Sequence, residues 1–377
     1  MAVQPNPMHR HDLVVPPVSG DVRRFHERLD GYVPTPLRRV DALAESLGVA
    51  EVWVKDEAWR LGLPAFKVLG ASWATYRLLE QRRGRVFEPW SSIADLRDQV
   101  AEMGGLTLVA ATDGNHGRAV ARMAKLLGLA SRIRVPAGTV AARVDAIAAE
   151  GAEVTVSGGG YDDAVAEVAA WADDKTLVVS DTSWEGYMDV PAWIIDGYST
   201  IFAEAAEQFA EAGSPGPTVV TVPVGVGAFA AAAVTAYRRP GQAPVLVAAV
   251  EPVDAACVMA SAIAGEVITL DGEQHSIMAG LNCGTPSPIA WPAVSQGTDV
   301  FVTVTDDEAR SAMRALAGVG VVAGESGAAS YAGAVQLAAA GRLGASDRLL
   351  LLSTEGATDP VAYEQIVGRA PSTAEKL

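Results

Sequence analysis

Cysteine is nearly absent, with two residues, Cys257 and Cys283, in a chain of 377. That count excludes a disulfide framework and leaves a single bridge as the most that could form. Histidine is almost as scarce, at five residues, and with two thiols it supplies no set spaced like a metal site. The expectation is no metal and two reduced thiols in a cytoplasmic protein. Positive charge is also short: Lys and Arg total 29 against 45 Asp and Glu, a formal net charge of −16. Nucleic acid and anionic membrane surfaces are therefore poor partners, and a cationic small molecule is a better one. The longest apolar stretch, AFAAAAVTAY, is too short to cross a bilayer. The segment MAVQPNPMHRHDLVVPP has two early prolines and no apolar core, so no secretory leader is expected. Neither a fixed-period repeat nor a long low-complexity linker is present.

What is abundant is apolar side chain, 50% of residues against 20% charged, enough for two domains or one large one. Short β-branched runs alternate with longer helical patterns. EVWVK, TLVAAT, SRIRVP, AEVTV, TVVTVPV, VLVAAVEP, FVTVT and LLLLST read as strands, and segments such as HGRAVARMAKLLG, VAARVDAIAAEG and DDEARSAMRALA read as helices between them. Alternation of this kind predicts an α/β protein with parallel sheets covered by helices, because strands buried on both faces lose the polar alternation of half-exposed ones. EQRRGRVFEPWSS and EAGSPGPT are the expected surface loops.

One lysine stands out. In AFKVLGASWA, Lys67 shares a helix face with Gly70, Ala71 and Ala74. A helix beginning just after Pro64 holds Lys67 in its first turn, where the macrodipole disfavours a cation. Desolvation and dipole both favour the neutral amine, the form that attacks carbonyls. The competing reading is a lysine whose stem covers apolar surface while its head reaches water, and on this residue alone that reading is the stronger.

Three strand ends open into unusual turns. ATDGNHGRAVA enters a helix with Gly114 and Gly117 giving backbone freedom and Asn115 available as an N-cap. VPVGVGAFAAA places Gly225 and Gly227 before a helix, leaving bare N–H groups as an anion site without basic residues. LLSTEGATDP ends a strand with Ser353 and Thr354. Each turn alone is weak, since glycine at a strand–helix junction is ordinary.

Together with Lys67 they resemble the fold type II pyridoxal-phosphate enzymes, the tryptophan synthase β-like group. VKDEAWRLGLPAFKVLGAS, ATDGNHGRAVA, DTSWEGYMDVPAWIIDGY, IMAGLNCGTPSPIAW, GESGAA and STEGATDP follow the order and spacing of the diaminopropionate ammonia-lyase family, from about Val33 to about Val367. The resemblance implies two domains, each a mostly parallel twisted sheet flanked by helices. Residues 1–74 with 188–377 would form the large cofactor-binding domain and 75–187 the small one, with the active site in the cleft between them. It also implies a homodimer acting on a small amino acid.

By the same resemblance Lys67 carries pyridoxal phosphate and later returns as an acid/base group. Phe66 packs near the cofactor, Asn115 bonds its phenolic oxygen, and Gly225, Val226, Gly227 and Ala228 cradle the phosphate. Ser353 faces the pyridine nitrogen, where a neutral hydroxyl weakens the electron sink and favours elimination over transamination. Thr112, Asp113 and Asp181 contact substrate, and Asp113 and Asp181 join Lys67 as catalytic groups. Hydroxy-amino-acid dehydratases of the fold usually carry a small or neutral residue where this chain has Asp113. A carboxylate there repels the substrate carboxylate unless a second ammonium offsets it. The implied reaction is elimination of ammonia from D- or L-2,3-diaminopropionate. The alternative is a serine or threonine dehydratase, or a biosynthetic lyase acting on another β-substituted amino acid. Asp113 and Asp181 also have plain readings, as a turn residue and a helix cap. His116 is read as turn packing, and Trp184, Tyr187, Trp193 and Tyr198 mostly as core.

Overall fold

Apolar runs become strands wherever helices cover both of their faces, and a computed structural model describing residues 2–15, 18, 21–112 and 114–371 shows eleven of them among the described residues. In chain order they are β1 (Val3–Pro5), β2 (Leu37–Arg39), β3 (Glu51–Asp56), β4 (Thr107–Ala111), β5 (Ala130–Val135), β6 (Glu153–Val156), β7 (Thr176–Val178), β8 (Val219–Pro223), β9 (Leu246–Pro252), β10 (Val300–Val304) and β11 (Arg348–Ser353). Eight match the apolar runs read from the sequence. The other three, β1, β2 and β7, are three residues long, too short to carry a period of their own.

The chain divides into two compact units, a larger one of residues 1–18, 34–59 and 201–377 and a smaller one of residues 19–33 and 60–200. Boundaries at 74/75 and 187/188 were expected. The first of those would cut through the uninterrupted helix Lys67–Arg83, which packs on the helix Asn115–Leu127. Lys67 accordingly belongs to the smaller unit.

The larger unit is built on a seven-stranded sheet of order β1-β10-β9-β8-β11-β3-β2, parallel inside and antiparallel at its two edge pairs. Val52, Val54, Val219, Val250, Val302, Leu349 and Leu351 face helix side chains such as Met313, Leu316 and Leu337 in one core. Each such side chain contributes about 1.5–3 kcal/mol when fully buried. The helix Glu325–Ala339 comes closest to the sheet at Gly333, where a Cβ would meet Val250 Cγ2 at 2.4 Å.

The smaller unit carries a parallel sheet of order β6-β5-β4-β7, with Val109, Ala111, Ala164, Val168 and Val178 in its core. Its helix Lys67–Arg83 lies against residues Ile194–Tyr198 of the helix Asp189–Glu211 with almost no clearance. A Cβ on Gly197 would fall 2.7 Å from Gly70 Cα, and one on Gly70 would fall 2.6 Å from Tyr198 Cε1. Two glycines back to back thus fix the helix that begins with Lys67.

Both sheets reverse strand order at one place. In the smaller unit the chain runs outward β4, β5, β6 and then returns to place β7 on the other side of β4. In the larger one it runs β8, β9, β10 and then returns to place β11 beside β8. Ligands of open α/β sheets bind beyond the carboxyl ends of strands at such a switch point. In the smaller unit those ends lead into Thr112–His116 and Ser180–Asp181, and in the larger into Gly225–Gly227 and Ser353.

Some local expectations change. Of the four aromatic residues read as mostly core, Tyr198 is fully buried, whereas Trp184, Tyr187 and Trp193 are half-buried. Trp184 and Tyr187 stack on each other at 4.1 Å. In EQRRGRVFEPWSS the first four residues finish the helix Lys67–Arg83, and Phe87 and Trp90 are buried. The apolar demand of those two rings outweighs the polar residues around them.

Candidate active site

The smaller unit gathers six side chains around its switch point. Lys67 is the first residue of its helix, and its Nζ donates to Asp181 Oδ2 at 2.7 Å. The amine expected from desolvation and dipole therefore has a carboxylate beside it, which opposes both effects. Tyr161 opens the helix Tyr161–Ala169 and donates its hydroxyl to the other oxygen, Asp181 Oδ1, at 3.1 Å. His116 Nδ1 stands 4.0 Å from Asp181 Oδ2. Tyr198 is buried next to Phe66, ring centroids 4.7 Å apart, and Lys67 Nζ lies 5.6 Å from the Phe66 centroid.

Electrostatics follow from this packing. Burial pushes the Asp181 carboxyl up, but the Lys67 charge and the hydrogen bonds from Lys67 and Tyr161 hold it well below the usual carboxylate range. Burial lowers His116 and the Lys67 charge lowers it further, against the pull of Asp181. Burial raises the Tyr198 phenol well above its ordinary value, against the Lys67 charge.

The turn that delivers His116 is held by Thr112. Its Oγ1 accepts the N–H groups of Gly114 at 2.9 Å and Gly117 at 3.0 Å, doing for the helix what a capping side chain does. Gly117 is required by contact, since a Cβ there would meet Thr112 Cγ2 at 2.2 Å. Asn115 is the first helical residue and Gly114 the N-cap, so the cap expected of Asn115 is supplied from Thr112. Asp113 lies outside the described residues. Asp181 starts no helix, which removes its plain reading as a cap.

The larger unit holds two features at its own switch point. After β8, Gly225, Val226 and Gly227 turn into the helix Ala228–Tyr237, whose first-turn amides have no acceptor within the helix. Gly227, at φ +97°, is the left-handed N-cap. Gly225 fits where a Cβ would come within 3.0 Å of Cys283 Sγ and 3.1 Å of the Gly280 carbonyl oxygen. Cys257 and Cys283 are both buried. At the end of β11, opposite Asp56 of β3, Ser353 Oγ is buried and makes no hydrogen bond. Ser326 Oγ nearby in sequence to Glu325, the first residue of its helix, is likewise buried without a hydrogen bond.

Sequence reading missed Tyr161, and it read His116 as turn packing and Tyr198 as core. The adjacency of His116 to Asn115 in the turn was a usable signal. Tyr161 had only its place after three glycines, and Tyr198 none beyond its position in an apolar helix.

The family model described as "Pyridoxal-phosphate dependent enzyme" matches residues 28–355. The chain is 37% identical over 370 residues to a diaminopropionate ammonia-lyase of Salmonella typhimurium, covering 93% of this chain and 92% of that one. With its counterpart from Escherichia coli K12 it shares 38% identity over 367 residues, covering 92% and 90%. The crystal structure of Escherichia coli diaminopropionate ammonia lyase in complex with an aminoacrylate-PLP azomethine reaction intermediate superposes with a TM-score of 0.86 at 34% identity, over 97% of this chain and 96% of that one. The chain belongs to the pyridoxal-phosphate dependent enzymes and, within them, to the diaminopropionate ammonia-lyase family.

Proposed function

We propose that this protein eliminates ammonia from 2,3-diaminopropionate, giving aminoacrylate that hydrolyses to pyruvate and a second ammonia. The observation that carries the reading is the lysine–carboxylate pair, Lys67 Nζ to Asp181 Oδ2 at 2.7 Å, in a site that also contains the His116 imidazole, whose protonation burial disfavours. Pyridoxal phosphate, bound through Lys67, supplies a sink for the electron pair released at the substrate Cα.

The residues present fit that cofactor. Gly225, Val226, Gly227 and Ala228 offer backbone N–H groups and a helix N-terminus to a phosphate. The buried Ser353 hydroxyl has a hydrogen bond to give to a ring nitrogen. Phe66 offers an aromatic face beside Lys67, and Asn115 is the residue assigned to the phenolic oxygen. Lys67 moves the Cα proton, and Asp181, fixed by Tyr161, holds the second ammonium of the substrate before it leaves as ammonia. Thr112 acts on substrate through the turn it caps. Gly227→Ala should weaken cofactor affinity about tenfold through left-handed backbone strain alone, because its Cβ would make only ordinary contacts of 3.4 and 3.5 Å. A cofactor titration with unchanged affinity would remove the phosphate role from this loop.

Asp113 is proposed as a base on the face opposite Lys67, so that both enantiomers of the diamino acid are deprotonated. Asp113→Asn should keep cofactor binding and lose more activity on the D- than on the L-enantiomer, by about a hundredfold or more on the former. Equal losses on the two would end the opposite-face assignment. The working form is proposed to be a homodimer in the cytoplasm, a setting that suits a chain with only two cysteines. No helix among the described residues is long and apolar enough to cross a membrane.

The deciding experiment measures pyruvate and ammonia released from L- and D-2,3-diaminopropionate, with L-serine, D-serine and L-threonine alongside. Selective turnover of the diamino acid is the expected result. Preference for serine or threonine would leave Lys67 in its role and overturn the acidic pocket as a selector of diamino acids.

A further inference from the structure

His116 is held by one nitrogen and presents the other. Its Nε2 lies 2.7 Å from the Val179 carbonyl oxygen, which can only accept, so Nε2 carries the ring proton and Nδ1 keeps its lone pair. Nδ1 is buried, makes no hydrogen bond and stands 4.0 Å from Asp181 Oδ2. Two acceptors at that separation are reached together by one nitrogen at ordinary bond lengths of about 2.8–2.9 Å, with about 90° between the bonds. An ammonium has the three donors and near-tetrahedral spread to do this. A hydroxyl, with one proton, reaches only one of them.

Charge points the same way. Tyr161 occupies Asp181 Oδ1, which leaves Oδ2 for a cation. In the described arrangement that cation is Lys67. Once the Lys67 nitrogen is joined to a carbonyl carbon it no longer offers a free ammonium, and a buried carboxylate without a countercharge is costly.

We propose that His116 is a specificity-determining residue: its Nδ1 and Asp181 Oδ2 each accept an N–H bond from the second ammonium of a 2,3-diamino acid. This rests on the lyase reading and deepens it. The groups facing the ring are Asp181 and Lys67, together with the Val179 backbone. A neutral ring is needed, since an imidazolium would repel the substrate's cation. The leaving group departs as neutral ammonia: the Cβ–N bond pair goes to nitrogen, the pair at Cα forms the Cα–Cβ double bond, and no proton is required from His116.

Two substitutions separate this role from a bracing one. His116→Gln places an amide at the Nε2 end, keeping a donor for Val179 and nothing at Nδ1. His116→Asn places an amide at the Nδ1 end and leaves Val179 without its donor. Each is loaded with pyridoxal phosphate, and KM and kcat are measured separately for L-2,3-diaminopropionate and L-serine. Equilibrium binding of both amino acids is also followed by visible absorption in the non-reacting Lys67→Ala background. The expected result is at least a tenfold weaker hold on diaminopropionate in His116→Gln, less than threefold change for serine, and partial recovery in His116→Asn. If Asn is the worse of the two, or if both amino acids weaken equally, His116 is only a brace for the turn and the proposal falls. Failure of the unmodified protein to release pyruvate from diaminopropionate would instead overturn the lyase reading, whatever the order of the two variants in binding.

Discussion

Lys67→Ala should lower pyruvate release from diaminopropionate by at least about a thousandfold, because it removes both the amine proposed to join the cofactor and the base proposed to move the Cα proton. The visible absorption of the lysine-bound cofactor should disappear with it. Undiminished lyase activity in this variant would refute the assignment. The substitution also strips the buried Asp181 of its cation, so stability has to be followed in parallel. Asp181 is held below the usual carboxylate range in the folded protein. A depressed carboxyl contributes stability above its unfolded pKa of about 4 and loses that contribution as pH falls toward the folded value. The gap in stability between Lys67→Ala and the parent protein should therefore be present at neutral pH and shrink below about pH 4. Lys67→Arg keeps a cation beside Asp181 but has no amine to condense, so it should regain stability and not turnover.

The second large effect lies in the larger unit. Lys55 and Glu204 form an ion pair at 2.7 Å with both side chains fully buried. Lys55 Nζ also donates to the Thr35 carbonyl oxygen at 2.7 Å and to Gln208 Oε1 at 2.9 Å, while the Thr35 hydroxyl donates to Glu57 Oε1 at 2.6 Å. Every donor of the ammonium has an acceptor, which is the condition under which a buried pair is tolerated. Glu204→Ala leaves the charge buried and should cost about 3–5 kcal/mol in urea unfolding. Replacing both, as Lys55→Met with Glu204→Leu, should recover most of it, since an apolar pair of similar volume needs no desolvation of charge. A single variant that loses less than about 1 kcal/mol would show that water reaches Lys55 and that the network is not closed. The functional reach of this pair is through register: Lys55 lies opposite Leu352 and Asp56 opposite Ser353, so the network supports the strand end that presents the Ser353 hydroxyl.

The strands and the two glycine turns are legible in the sequence because both signals are local. A doubly covered strand is apolar over its whole length, and a turn such as Gly225–Gly227 needs its glycines whatever surrounds it. The division into units is less legible. Its boundary near residue 60 falls in a segment without a long linker, and residues 19–33 join the smaller unit across the sequence. The site is legible as a set of residue types but not as an arrangement. Lys67 and Asp181 are 114 residues apart, and their meeting is a product of the strand order that returns β7 to the side of β4. What spacing does not show for His116 is its tautomer. Spacing places a histidine in a turn, but which ring nitrogen is tied down depends on the Val179 carbonyl, 63 residues away. The carboxylate beside Lys67 was hidden for the same reason, since desolvation and dipole are visible in the helix and Asp181, 114 residues away, is not.

The edges of the seven-stranded sheet bear on how the protein behaves when crowded. Its inner strands are apolar and would template pairing with a neighbouring molecule if one of them were the outermost. Instead each side ends in a strand of three residues running antiparallel, Val3–Pro5 beside Val300–Val304 and Leu37–Arg39 beside Glu51–Asp56. The first contains a proline that cannot donate, and the second carries two arginines. Such edges are poor templates for intermolecular pairing. The consequence is colloidal: resistance to aggregation depends on two tripeptides that contain none of the proposed catalytic groups. Shortening the chain at its start by even five residues would bare the edge of the mostly apolar strand Val300–Val304 to other copies.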